Sequence, residues 1–79
     1  MDKIQEGQAA KELLANPLLQ ESLQTIESAL IDQWTLTRDT SVREEVWYTL
    51  QGLKRFVTIL NMTVSNGEDE LALKEKFHE

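Results

Sequence analysis

Val46-Trp47-Tyr48-Thr49-Leu50-Gln51-Gly52-Leu53-Lys54-Arg55-Phe56-Val57-Thr58-Ile59-Leu60-Asn61-Met62-Thr63-Val64 is the stretch that decides the fold. Val46, Leu50, Leu53, Val57, Leu60 and Val64 recur at alternating spacings of four and three. That is the apolar seam of a helix packed along another helix. A second stripe runs beside it, formed by Gly52, Phe56 and Ile59. A glycine inside a helix costs about 1 kcal/mol relative to alanine. Close approach of another helix at Gly52 would account for it.

Working outward, Ser41-Val42-Arg43-Glu44 reads as a capping box that opens this helix: the serine oxygen would accept from an amide three residues on, and the glutamate would reach back. Asn66-Gly67 reads as its stop, since glycine tolerates the left-handed cap conformation. Upstream, Leu19, Leu23, Ile26, Leu30 and Trp34 form a matching stripe, which predicts a helix from Pro17 to about Thr37. The two stripes agree with each other. Trp34 with Val46, Leu30 with Leu50, Ile26 with Leu53, Leu23 with Val57 and Leu19 with Leu60 all have position numbers adding to 79 or 80. A constant sum is what an antiparallel pair joined by a short turn near Asp39-Thr40 produces.

The expected fold is therefore all-α: a long antiparallel helical hairpin, about 17–37 and 41–66, with short N- and C-terminal helices, forming an oligomeric bundle. The 79 residues are read as one helical domain. Residues 1–16 would be an N-terminal helix open to fraying, weakened by Gly7 and ended by Asn16-Pro17. That pair also starts the next helix, as N-cap and first helical residue. Residues 68–79 would be a short C-terminal helix, with acids at its start and lysines near its end to suit the helix dipole. Two helices leave the Phe56 side uncovered. Either the first helix folds back over it with Ala9, Ala10, Leu13 and Leu14, or a second copy or another protein covers it, because soluble monomers rarely expose such a patch.

Composition narrows the function. The net charge is −6, which disfavours a nucleic-acid partner. Residues 46–67 hold no Asp or Glu but include Lys54 and Arg55. This is either a solvated helix face or a docking patch for an acidic partner. With no cysteine there is neither a disulfide framework nor a thiolate metal site. The polar start Met1–Glu6 has no signal-peptide core, and no apolar run is long enough to span a membrane. A cytoplasmic location follows as the expectation.

Catalytic chemistry finds no support. His78 is the only histidine and sits next to the C-terminus. Ser41 is accounted for by capping, and no base is placed to activate it. Glu44 and Glu45 are sequence neighbours, so they diverge by about 100° on a helix. No glycine-rich phosphate loop occurs. Asn61-Met62-Thr63 matches a glycosylation signal but falls inside a predicted helix. No catalytic residue, cofactor or metal is expected, and no enzyme activity. Trp34, Trp47 and Tyr48 cluster near the turn. They form either a packed aromatic cap or a recognition tip, since Trp and Tyr are frequent binding hot spots.

The segments Leu13-Leu14-Ala15-Asn16-Pro17-Leu18-Leu19, Trp34, Thr37-Arg38-Asp39, Arg43-Glu44-Glu45-Val46-Trp47 and Leu50-Gln51-Gly52-Leu53 resemble small helical proteins of tailed bacteriophages and prophages, often encoded near virion genes. The resemblance spans about two-thirds of the chain. It implies a viral context, with the host cytoplasm or the virion as location, and assigns no functional residues. The expectation is a non-enzymatic phage protein acting by self-association and protein binding in virion structure or assembly. Gly52, Phe56, Ile59, Trp34, Trp47 and Tyr48 would be its interface. The alternatives are an inhibitor or adaptor bound to a host protein, of the anti-defence type, and a DNA-packaging component.

Overall fold

The computed structural model describes residues 2–77. They are all-helical, with no strand among the described residues: α1 is Lys3–Ala15, α2 is Pro17–Leu36 and α3 is Thr40–Phe77. The expectation about His78 lies outside the described residues.

Local chemistry sets the boundaries. Asp2 caps α1, its carboxylate accepting from the Gln5 amide at 2.8 Å. Asn16 serves both neighbours. Its own N–H donates to the Leu13 carbonyl at the end of α1, and its side-chain oxygen accepts from the amides of Leu18 at 2.8 Å and Leu19 at 3.4 Å. With Pro17 at the first turn of α2, the expected stop-and-restart is observed. The Gln20 side chain adds a bond to the Leu14 carbonyl at 2.7 Å across the joint.

Two expectations need correction, and one open alternative is decided. α3 begins at Thr40, and its cap is Asp39 rather than a Ser41–Glu44 box. The Asp39 carboxylate accepts from Ser41 N–H at 2.9 Å, and its carbonyl accepts from Arg43 N–H. Aspartate is as good an N-cap as serine, and starting earlier gains helical residues.

The second correction concerns the C-terminal region. No separate helix begins at 68, because α3 runs unbroken through Gly67 to Phe77. No glycine has positive φ, so Gly67 makes no left-handed cap. It is buried instead, against Gly7 of α1. A Cβ built on either glycine would lie 2.8 Å from the other's Cα, and one on Gly67 also 2.8 Å from the Lys3 carbonyl. Backbone meets backbone here. The loss of helix propensity at both glycines is offset by a contact that only glycine permits. Gly7 therefore anchors α1 rather than fraying it.

The alternative left open for α1 is decided by the same contact. α1 packs along the C-terminal part of α3, where Ile4, Gly7, Lys11, Val64, Gly67 and Leu71 border one hollow. It buries Ala10. Lys11 reaches Glu68 at 4.0 Å, an exposed pair that adds little. α1 does not cover the Phe56 side: Phe56 and Ile59 remain 47% and 56% exposed.

α2 packs on the earlier part of α3. Leu19, Leu23 and Leu30 of α2 are half-buried, as are Leu50, Leu53, Val57, Leu60 and Val64 of α3, while Val46 is buried. Ile26 and Trp34 lie at the margin of this seam and stay exposed. The molecule is a rod with extents of 62 × 23 × 17 Å. The 38 residues of α3 account for most of its length at 1.5 Å each. Its radius of gyration is 17.5 Å, against about 12 Å for a compact domain of this size.

Candidate protein-interaction site

The connection between α2 and α3 brings the expected aromatic residues together. Thr37 Oγ1 accepts from the Asp39 amide at 3.1 Å, which tightens the turn. Arg43 Nε donates to the Thr37 carbonyl at 3.0 Å, and its guanidinium sits 5.5 Å from the Trp34 ring centroid. A cation placed so is attracted to the ring face by about 0.5–1 kcal/mol at an exposed site. Trp47 and Tyr48 meet edge to face, their centroids 5.1 Å apart and their planes at 78°. Trp34, Arg43, Trp47 and Tyr48 share one open hollow with Thr40 and Glu44. The tip therefore combines three aromatic rings with one guanidinium, and all three rings keep solvent exposure.

The second stripe is also open. A Cβ on Gly52 would meet nothing within 4 Å, so no helix of this chain makes the close approach that its glycine suggested. Gly52 borders a shallow hollow on the outer surface of α3 with Tyr48, Gln51, Lys54, Arg55 and Thr58. The expected site residues thus form two groups: Trp34, Trp47 and Tyr48 at the tip, and Gly52, Phe56 and Ile59 along α3.

A third surface escaped the sequence reading. Ile31, Trp34, Trp47 and Leu50 enclose one hollow between α2 and α3. Leu23, Glu27, Leu50, Leu53, Lys54 and Val57 enclose a second, with Thr58 at its edge. Leu50 borders both, so the two hollows follow one another along the α2–α3 junction as one groove, apolar at the Trp34 end and flanked by Glu27 and Lys54 further on. Phe56 lies two residues from Lys54, about 200° round the helix, and so belongs to the opposite flank. The signal in the sequence was Ile31, an apolar residue just outside the seam of α2. It had no partner on paper until the packing set it beside Trp47. Glu27 and Lys54 stand across the groove, yet the ion pair that forms among the described residues is Lys11–Glu68.

The described residues contain no group of three His, Asp or Glu side chains placed to hold a metal ion, and among them no buried polar side-chain atom lacks a partner. No described helix is long and apolar enough to cross a membrane. No protein-family model matches the chain, and neither a curated protein nor a solved structure shows significant similarity to it.

Proposed function

We propose that this chain is a non-enzymatic helical protein that acts by self-association and by binding other proteins. In this reading α2 and α3 form an antiparallel hairpin, with α1 as a broken continuation of the α2 arm. The grooves support that arrangement, because residues of rising number along α2 line them with residues of falling number along α3.

The observation that carries the proposal is surface. The chain exposes 6455 Å², whereas a folded monomer of 9.1 kDa exposes about 4,900 Å². The excess, about 1,500 Å², is nearly twice what one partner contributes to a standard interface. Apart from Ala10 and Val46, no apolar side chain is fully buried among the described residues. Such a rod lacks the core that a domain of this size needs, and burying its faces against further chains would supply one. The phage setting, in virion structure or assembly, rests on the resemblance of residues 13–60 to small phage-encoded helical proteins. A second reading, an adaptor or inhibitor on a host protein, is favoured by the aromatic tip, whose Trp, Tyr and Arg are the residue types that dominate binding hot spots.

Light scattering across a concentration series tests the proposal. A discrete oligomer is expected, and a monomer at every concentration would remove self-association. Phe56→Asp and Ile59→Asp then assign the stripe. A fall in mass makes it a self-contact, and an unchanged mass leaves it to another protein.

A further inference from the structure

We infer that a second copy of this chain seats in the α2–α3 groove, with the two rods side by side, their tips at the same end, and α2 of each copy lying on α3 of the other. The inference rests on the self-association proposed above and specifies its geometry.

Two hairpins stacked groove to groove can be related by a two-fold axis along the rod or across it. An axis across the rod lays α2 on α2 and α3 on α3. An axis along the rod lays α2 on the second copy's α3 and keeps every residue at its own level. Charge chooses between them. α2 carries Glu21, Glu27 and Asp32 and no Lys or Arg. The facing part of α3, residues 46–67, carries Lys54 and Arg55 and no acid. Of these charges only Glu27 and Lys54 line the groove; an axis across the rod at their level sets Glu27 on Glu27 and Lys54 on Lys54, and like charges in register are disfavoured.

The axis along the rod sets these opposite charges on each other instead, twice. Glu27 and Lys54 line the same hollow at the same level, so Glu27 of each copy meets Lys54 of the other. At the tip, Trp34 of each copy covers Trp47 of the other, closing the hollow that these residues form with Ile31 and Leu50. Each helix then has only antiparallel neighbours, as in an up-down four-helix bundle. The excess surface of one chain, spread over the whole rod, is larger than the roughly 800 Å² per partner that a standard interface buries.

The test is a charge-reversal mixing experiment on the full chain. Glu27→Lys and Lys54→Glu each place two like-charge contacts in the dimer, and both positions are exposed, so helicity by circular dichroism should be unchanged. Each variant alone is expected to dimerise about tenfold more weakly than wild type. An equimolar mixture should regain wild-type affinity, since both contacts are then opposite in sign. Rescue by mixing separates an intermolecular pair from one within a single hairpin. Because the chain has no cysteine, Arg38→Cys labelled with pyrene adds a clean reporter: excimer emission is expected from tips that lie together. A wild-type monomer in the same assay would overturn both this geometry and the self-association beneath it. A wild-type oligomer with no rescue in the mixture, or with no excimer, would overturn this geometry alone. So would loss of the oligomer in Phe56→Asp while both charge variants stay fully dimeric.

Discussion

Towards the C-terminal end of α3, around Gly67, α1 comes so close that neither helix has room for a single methyl group. Towards the turn, around Leu50, α2 stands off on large side chains that are only half covered. The shorter helix is thus the more closely packed one. Small residues let two backbones meet and complete a contact within one chain. Large apolar residues on a pair of helices cover each other along one line and leave their flanks to solvent. One end of this molecule holds a tight backbone contact within its own chain, and the other leaves large apolar side chains open to solvent.

Glycine substitutions break or sharpen this contrast most directly. Gly67→Ala drives a methyl into the Gly7 and Lys3 backbone. It should cost about 1–3 kcal/mol through overpacking, although alanine is the better helix former. Denaturant midpoints should fall, and hydrogen exchange should show lost protection across Lys3–Ala15 with little change in α2. An unchanged midpoint would mean that the crossing holds no energy.

The joint between the two regions comes next. Asn16→Ala removes the acceptor for two amides at the start of α2 and should cost about 1 kcal/mol. Exchange measurements should place the loss in the first turn of α2. Loss spread evenly along the rod would instead make the two regions one cooperative unit.

The smallest effect should also have the opposite sign. Gly52→Ala adds a methyl to open space and should stabilise the chain by about 0.5–1 kcal/mol. If thermal melting shows destabilisation instead, and the loss grows with protein concentration, then another copy approaches α3 at Gly52. The glycine would in that case do between chains what Gly67 does within one.

Asn16-Pro17 was legible in the sequence because capping involves residues two or three apart, and most seam residues of α2 and α3, though not Ile26 or Trp34, were legible because helical periodicity repeats along the chain. The aromatic tip was legible for the same reason: Trp34, Trp47 and Tyr48 flank one short connection. The start of α3 was misplaced between two good capping residues, Asp39 and Ser41, whose local signals are nearly equal. Gly67 was misread because Asn66-Gly67 looks the same whether a helix ends there or is crossed there.

By itself, then, the sequence determined that the chain is helical, where its first break falls and, Ile26 and Trp34 apart, which residues face the seam, since each depends on spacing within a few turns. Only the tertiary structure decided that α3 continues through Gly67, that α1 leaves Phe56 uncovered, and that Ile31 and Trp47 share a groove. Each of those depends on residues far apart in the chain meeting in space. The Gly7–Gly67 contact is the clearest instance: two glycines, each costly to its own helix, become favourable only when they face each other.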